Sequence, residues 1–236
     1  MPKSKEKPII KVDKVSKEFG PFAVLKEISF NIYPREFLFL IGPSGAGKTT
    51  LFRLLTHEIT PTEGEIVFDN MEVSGKLLGK QLCELRRRVG RVFQDLKLIE
   101  DKTVRENIRL IFDILKIDRK EIDEESERLL GLVGLNERSN LFPSQLAEGE
   151  KQRVGIARAL VGQPDVLLVD EPTSNLDPAT SWQIIKTLQD IHNKGTAVVV
   201  ATHDEDIVNS LKVRVIEIDK GKLVRDEKKG KYQSNQ

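Results

Sequence analysis

This 236-residue sequence has one cysteine, only short apolar runs and almost no excess of charge of one sign. The single cysteine, Cys83, cannot form an internal disulfide. The longest apolar runs, such as residues 166–169 and 197–201, have strand length, far below the ~18 residues of a membrane-spanning helix. Residues 1–7 are polar and do not resemble a secretory signal. We therefore expect a cytoplasmic protein, with any membrane spanned by another chain.

The balance of charges limits the partners that the chain can attract. Lysine and arginine total 38 against 37 for aspartate and glutamate, a formal net charge of +1. Such a chain has no overall field for nucleic acid or anionic lipid, so any basic contact must be local. The length is enough to bury a substantial core in one large domain or two small lobes.

Hydrophobic periodicity predicts an α/β fold with a parallel sheet. Short β-like runs alternate with a helix around residues 181–192, as expected for strands joined by crossover helices. A charged stretch of helical period, residues 77–160, predicts a mostly helical lobe. The polar residues 226–236 are expected to be frayed. The predicted strands are residues 9–15, 28–32, 37–41, 65–69, 166–170 and 196–201.

A complete phosphate-binding loop is the strongest motif, and it lies between a predicted strand and an apolar helix. The glycines let backbone N–H groups turn inward on phosphates, Lys48 places a charge on the β and γ groups, and Thr49 offers a hydroxyl to Mg²⁺. An ordinary glycine-rich turn is disfavoured, because every fixed position is present in the expected context. The loop consists of Gly42, Pro43, Ser44, Gly45, Ala46, Gly47, Lys48 and Thr49, followed by Thr50.

Two adjacent carboxylates follow the apolar strand at residues 166–169. Because side chains alternate at a strand end, the two acids cannot perform one task side by side. Asp170 suits the water shell of Mg²⁺, and Glu171 is placed to orient and deprotonate an attacking water. Alone, the pair would indicate only a solvated turn; together with the loop it predicts ATP hydrolysis.

Further motifs resemble the ATP-binding cassette (ABC) family, over nearly the whole chain. The resemblance implies a P-loop NTPase of the ABC ATPase type, with a RecA-like parallel core, an antiparallel β subdomain and a helical subdomain. It implies one nucleotide-binding domain over residues 8–236, with a core lobe at 8–76 and 161–225 and a helical lobe at 77–160. Two copies of such a domain would sandwich ATP and Mg²⁺.

The resemblance also implies roles for residues outside the phosphate loop. Gln94 resembles the glutamine that links Mg²⁺ and the attacking water to the helical lobe, so it joins Thr49 and Asp170 as a metal-site residue. His203 resembles the histidine that contacts the γ-phosphate. Phe19 stands where the family has an aromatic on adenine, with a core position or a rival role for Phe22 as alternatives. The loop that crosses to the partner copy corresponds to Ser174, Asn175, Leu176 and Asp177.

The family's signature motif is altered in this chain. Ala147 lacks the hydroxyl that would bind the partner copy's γ-phosphate, and Glu148 replaces a glycine. An ionised Glu148 about 4 Å from triphosphate would oppose binding by roughly 4 kcal/mol at an effective dielectric near 20. Alternatively, Glu148 lies in the first helical turn, where the dipole favours it, and points away. The segment is Leu146, Ala147, Glu148, Gly149 and Glu150.

Within the family, residues 39–48, 93–108 and 220–227 resemble the subunits that act in bacterial cell division. Lipoprotein-release and macrolide exporters share many of these residues and remain an alternative, as does a slowly hydrolysing scaffold. A soluble ABC protein acting on ribosomes or DNA is disfavoured, because the chain has one cassette and no sustained heptads. The resemblance implies an integral membrane partner that carries ATP-driven motion to peptidoglycan hydrolases, and a location at the inner membrane face.

A basic run at residues 85–91 precedes Gln94. A solvated helix face is the ordinary interpretation, and contact with lipid or an acidic loop of the partner is the alternative. Apolar residues interrupt the charged lobe nearby, so we expect a short cytoplasmic helix of the membrane partner to dock there. The expected docking residues are Leu96, Leu98, Ile99 and Val104.

Overall fold

A computed structural model describes residues 7–117 and 119–232. Its strands are β1 (Ile10–Phe19), β2 (Phe22–Ile32), β3 (Phe37–Ile41), β4 (Glu63–Phe68), β5 (Met71–Glu72), β6 (Val89–Val92), β7 (Val166–Asp170), β8 (Ala197–Ala201), β9 (Arg214–Asp219) and β10 (Lys222–Glu227). Its α-helices are α1 (Lys48–Leu55), α2 (Gly79–Arg88), α3 (Val104–Leu115), α4 (Arg119–Leu132), α5 (Glu148–Ala159), α6 (Pro178–Asn193) and α7 (Glu205–Leu211).

A six-stranded sheet in the order β10-β9-β3-β8-β7-β6 forms the centre of the molecule. All neighbouring pairs are parallel except β10 with β9. Every residue of β3, β7 and β8 is buried, because helices or strands cover both faces of the sheet. The predicted parallel sheet with crossover helices is confirmed.

Alternating side chains of β3 separate two hydrophobic cores. Phe37, Phe39 and Ile41 pack with the helices α3, α5 and α6 on one face. Leu38 and Leu40 pack with α1 and with a second sheet on the other face. That second sheet is antiparallel, in the order β2-β1-β4-β5. The cores fix the carboxyl ends of β3, β7 and β8 at one edge of the central sheet.

Three strands of the central sheet are absent from the sequence-based predictions. β6 lies within the stretch predicted to be mostly helical, and it has only four residues, including Gly90 and Arg91. β9 and β10 form a charged hairpin in which Arg214 pairs with Asp226 at 2.7 Å and Arg225 pairs with Glu217 at 2.8 Å. Such strands carry a weak apolar pattern, so cross-strand contacts rather than local sequence select them.

The expectation of frayed residues after 226 is wrong for the described part of that segment. β10 extends to Glu227, and the Gly230 N–H donates to the Val213 carbonyl at 3.1 Å. A Cβ at Gly230 would lie 2.6 Å from Val215 Cβ, so this turn packs closely on β9. In residues 7–117 and 119–232, no helix is both long and apolar enough to cross a bilayer.

Candidate functional site

The phosphate loop connects the carboxyl end of β3 to the start of α1, and two glycines give it its shape. Gly42 has φ 143°, and a Cβ there would lie 2.0 Å from the Ile218 carbonyl oxygen. Gly47 has φ 110°, and a Cβ there would lie 2.6 Å from a methyl of Leu25. Only glycine fits both the backbone conformation and the space, so the loop can curl its N–H groups towards one point.

Lys48 is the first residue of α1, and its side chain is buried beneath the loop. Its ammonium donates to the Gly42 carbonyl at 2.7 Å and the Pro43 carbonyl at 3.3 Å. It also lies 3.5 Å from Oε1 of Glu171. A phosphate entering the loop would take Glu171's place beside this ammonium, which is positioned by backbone groups.

Glu171 directly follows β7 and joins Lys48 to His203. Its Oε2 lies 2.9 Å from His203 Nδ1, and its own side chain is only 10% exposed. The backbone of Glu171 has φ 47°, a left-handed conformation that costs a non-glycine residue about 1 kcal/mol or more. This strained residue after β7 aims the carboxylate across the loop instead of into solvent.

The loop, Glu171 and His203 open onto one cavity of about 720 Å³, which we call the phosphate cavity. The sequence-predicted residues Thr50 and Gln94 also line it. His203 lies at the rim of this cavity, and its side chain is two-thirds exposed. The next residue, Asp204, caps α7 by accepting from the Ile207 N–H at 3.1 Å. The cavity therefore brings together the groups predicted to act on the γ-phosphate.

A second cavity of about 580 Å³, which we call the metal-side cavity, adjoins the first. It is lined by Thr49, Gln94 and Asp170, together with Ser174 and Asn175 of the following loop. Asp170 is 1% exposed, and neither of its oxygens has a hydrogen-bond partner among the residues that the structure describes. Burial raises the pKa of Asp170, against the opposing effects of the Thr49 hydroxyl and the Arg91 guanidinium.

These residues fit Mg²⁺. An orphaned buried carboxylate, a threonine hydroxyl and an amide are oxygen ligands of the kind that Mg²⁺ prefers, and phosphates and waters complete such sites. In the described ranges, no three His, Cys, Asp or Glu side chains cluster closely enough to hold a metal ion by themselves. The arrangement thus suits a metal ion that arrives with a nucleotide better than a permanently bound one.

Comparison with known proteins decides the family. The family model described as "ABC transporter" matches residues 25–174. The chain belongs to the ABC transporter family. It is 45% identical to the "Cell division ATP-binding protein FtsE" of Bacillus subtilis (strain 168), over 89% of this chain and 92% of that protein.

A second relative and a solved structure support the same family. The "Cell division ATP-binding protein FtsE" of Mycobacterium tuberculosis (strain ATCC 25618 / H37Rv) is 44% identical, over 95% of this chain and 98% of that protein. The ATP-binding cassette MJ0796, solved as a dimer in a post-hydrolysis state bound to ADP and Pi, matches with a TM-score of 0.83 and 33% identity. The match covers 94% of this chain and 100% of that one. The predicted ABC ATPase fold is confirmed, and the chain is an ATP-binding ABC ATPase subunit.

The altered ABC signature lies at the start of α5, apart from both cavities. Leu146 is buried, and Ala147 precedes the first helical residue, Glu148. The Glu148 side chain is 65% exposed and pairs with Lys151 at 2.7 Å. Glu150 accepts a hydrogen bond from the Ala147 N–H at 3.0 Å. Two carboxylates, those of Glu148 and Glu150, therefore occupy the first turn of α5.

Packing explains the shape of the signature turn. Gly149 is buried, and a Cβ there would lie 2.3 Å from Thr180 Cγ2 on α6. Asp177 caps α6 by accepting from the Thr180 N–H at 3.0 Å, and the side chain and backbone of Thr180 together lower the pKa of Asp177. The loop predicted to cross to the partner, which includes Leu176 and the left-handed Asn175 (φ 64°), leads directly into α6. The signature turn thus packs on the first turn of α6, which Asp177 at the end of this loop caps.

Phe19 and Phe22 face each other across the β1–β2 turn as a register pair. Phe19 is 42% exposed with the Lys17 ammonium 5.1 Å from its ring, and Phe22 is 72% exposed. Both rings are accessible, but neither is among the described residues that line the phosphate cavity. A core position for Phe19 is therefore wrong, and its contact with adenine stays a prediction.

Sequence reasoning missed two residues that the fold brings to the site. Tyr232 lines the phosphate cavity beside Glu205, and its backbone N–H donates to Asn209 of α7 at 2.8 Å. Burial and the nearby Glu205 raise the pKa of Tyr232. Arg91 of β6 lines the metal-side cavity, with its side chain only 6% exposed. A lone tyrosine and a strand arginine carry no local motif, so only the tertiary fold reveals them.

A groove of about 370 Å³ lies on the helical side of β6, and we call it the docking groove. Apolar Phe93, Leu96, Ile111, Ile114 and Leu115 line it together with basic Arg86, Arg87, Arg91, Lys97 and Arg158. Arg158 donates to the Lys97 carbonyl at 2.8 Å, and burial lowers its pKa. The predicted surface role of Val104 is wrong, because Val104 is fully buried in the core beneath α3.

Proposed function

We propose that this chain is the ATP-hydrolysing subunit of a cell-division ABC complex, working as a homodimer on an integral membrane protein of the FtsX type. ATP-driven closure of the dimer would regulate peptidoglycan hydrolysis through that partner. The observation that carries the catalytic part is Glu171, held between Lys48 and His203 at the mouth of the phosphate loop. The cell-division part is supported by the relatives named FtsE.

In the proposed reaction, water attacks the γ-phosphorus of ATP, and the bond between that phosphorus and the β–γ bridging oxygen breaks, so that ADP and phosphate are released. The glycine-rich loop and Lys48 hold the β and γ groups, and their charge stabilises the transition state. Glu171 orients the water and accepts its proton at the carboxylate. His203, hydrogen-bonded to Glu171, fixes that carboxylate and contacts the γ-phosphate. Phe19 is proposed to stack on the adenine ring.

Thr49, Gln94 and Asp170 are proposed to hold Mg²⁺, directly or through water. When bound, the ion would supply positive charge at the β- and γ-phosphates. Asp170 is suited to this role because it is a buried carboxylate without a hydrogen-bond partner among the described residues. Gln94 lines both cavities, and its neighbour Phe93 lines the docking groove, so we propose that this stretch links the nucleotide site to that groove.

A second copy would complete the ATP site. The signature residues 146–150 are not among the described residues that line either cavity, and we propose that they act on the nucleotide of another copy. The dimeric arrangement of the 33% identical MJ0796 cassette supports this assembly. Because Ala147 lacks a hydroxyl and Glu148 adds negative charge, we propose that closure is weak and turnover slow until the membrane partner assists.

The two-lobed division of the domain is proposed to match this task. A core lobe of residues 8–76 and 161–225 would bind nucleotide, and a helical lobe of residues 77–160 would carry the signature and the docking groove. The proposed location is the inner face of the cell membrane, with contact through the partner. The groove's apolar floor and basic rim fit a short amphipathic partner helix with acidic side chains.

Ile114 and Val224 offer a matched test of this docking surface. Ile114 lies in the groove and is 56% exposed, whereas Val224 lies on β10 and is 55% exposed. We expect Ile114→Glu to lose most of its recruitment to membranes that contain the partner, with ATP binding intact. Recruitment measured by membrane co-sedimentation should be unchanged in Val224→Glu. Equal recruitment of both variants would place the docking surface elsewhere.

The function is tested by affinity capture of the chain from membranes, with mass identification of the co-purifying integral protein. Capture of an FtsX-type protein would support the cell-division complex. Capture of a lipoprotein-release or macrolide exporter permease would instead support the exporter alternative. A scaffold that scarcely hydrolyses ATP is separated by phosphate release. If the captured wild-type complex releases no more phosphate than its Glu171→Gln variant, the ATPase role is wrong.

A further inference from the structure

Arg91 occupies a position between the docking groove and the metal-side cavity. It is the third residue of β6, and it lines both spaces. Its side chain is only 6% exposed, which is unusual for a charged residue with no role in the reaction described above. A buried arginine shared by two functional spaces calls for a physical account.

The Arg91 guanidinium is divided between two carboxylates. Its Nη1 makes a close ion pair with Glu58, and its Nη2 lies 3.8 Å from Oδ2 of Asp170. The guanidinium also stacks on the Phe93 ring, 4.6 Å from the centroid. Its Nε has no hydrogen-bond partner within the described ranges. Arg91 is thus held firmly by Glu58 and Phe93 and only loosely by Asp170.

Asp170 is the carboxylate for which a metal ion would compete. A buried carboxylate without a countercharge is costly, so a resident cation stabilises the site before the metal arrives. The same cation repels an arriving divalent ion, because two positive charges a few ångströms apart interact strongly in a partly buried site. The net effect on metal binding depends on where the guanidinium lies, because its ion pair with Glu58 competes with its contact with Asp170.

We propose that Arg91 is a displaceable counter-ion for Asp170, which weakens Mg²⁺ binding to an extent set by its competing ion pair with Glu58. Arg91 is a positioning residue that acts through Asp170. The inference rests on the proposed function, since it assigns regulation to the same metal site. The same ion pair would let the docking groove influence the metal site, because Glu58 and Arg91 both line that groove.

The test compares the affinity for a non-hydrolysable ATP analogue with Mg²⁺ and with EDTA, measured by calorimetry on the purified chain. The ratio of the two affinities reports the metal contribution and requires no turnover. We expect the ratio to rise about tenfold in Arg91→Met, because the repulsion is removed. We expect it to fall about threefold in Glu58→Gln, because the released guanidinium moves its charge towards Asp170.

Arg53→Met is the matched control. Arg53 also lines the metal-side cavity and lies 3.8 Å from the same Glu58, but it has no described contact with Asp170. Its ratio should change less than twofold. Should Arg91→Met fail to fold, Glu58→Gln decides alone, since Glu58 is one-third exposed and tolerates an isosteric change.

An unchanged ratio in the folded variants, or an equal rise in Arg53→Met, would overturn the inference while leaving the ATPase role intact. A wild-type chain that binds no nucleotide with or without Mg²⁺ would instead overturn the proposed function, and this inference with it. The two failures are therefore distinguishable in one set of titrations.

Discussion

The phosphate loop and the signature turn, the two regions proposed to meet at one nucleotide in a dimer, differ sharply in this chain. The phosphate loop is assembled within the monomer, with Lys48 and Glu171 buried and within 3.5 Å of each other. The signature turn presents an exposed glutamate, Glu148, paired only with Lys151 on its own helix. One half of the proposed site is preorganised in the monomer, and we propose that a second copy supplies the other half.

The difference shows where control of the reaction resides. Preorganised charges cost little rearrangement when the nucleotide arrives, so binding to the phosphate loop depends mainly on the monomer. In the proposed dimer, closure would depend on contacts between the two copies, and Glu148 would add negative charge to those contacts. We therefore expect nucleotide binding and nucleotide-driven closure to respond to different substitutions.

The largest expected effect comes from the preorganised half. Glu171→Gln removes the proposed base but keeps the shape of the side chain, so phosphate release should fall by about 10²- to 10⁴-fold. ATP binding should persist. Glu205→Gln provides a control, because Glu205 is another carboxylate lining the phosphate cavity. Comparable losses of phosphate release in both variants would contradict a special role for Glu171.

A smaller, opposite effect is expected from the signature half. The double change Ala147→Ser with Glu148→Gly restores the hydroxyl and removes a charge, so ATP-dependent dimerisation and ATPase rate should rise about tenfold. Dimerisation is measured by light scattering in a Glu171→Gln background, and rate in the wild-type background. Glu148→Gln removes the charge of this side chain but keeps its shape, so it separates the effect of the charge from the effect of the shape. Unchanged dimerisation and rate in the double variant would show that Glu148 points away from nucleotide in the dimer.

The smallest expected effect concerns the packing that supports the signature turn. Gly149→Ala adds a Cβ 2.3 Å from Thr180 Cγ2, so unfolding free energy should fall by about 1–3 kcal/mol. Gly131→Ala in α4 is the contrast, because its nearest neighbour would lie at an ordinary 3.6 Å. That variant should be stabilised by about 0.5–1 kcal/mol. Urea denaturation measures both, and equal stabilities would contradict the close α5–α6 contact.

The preorganised half could be predicted from sequence because its chemistry is local. The loop at residues 42–49 and the acids at residues 170–171 each follow an apolar strand, so spacing alone predicts their neighbourhood. The α/β fold class with a parallel sheet followed from the alternation of apolar strands with helices. The family resemblance supplied Gln94 and His203, and the fold brings both to the phosphate cavity.

Long-range contacts explain what the sequence could not predict. β6 is too short and polar to be recognised, yet it places Arg91 beside Asp170, 79 positions along the chain. Val104 looks like a surface residue beside charged neighbours, but the fold of α3 buries it. Tyr232 reaches the phosphate cavity only because Gly230 packs on β9. Each outcome depends on partners distant in sequence.

The path of residues 228–232 has a practical consequence for anyone who labels this protein. The close turn at Gly230 and the hydrogen bond from Tyr232 to Asn209 direct this stretch along α7 to the rim of the phosphate cavity. A bulky fluorescent domain or purification handle joined directly behind Tyr232 would therefore crowd His203 and the entering nucleotide. None of the described residues before β1 lines the phosphate cavity, so a handle joined ahead of Ile10 is the better choice for activity measurements.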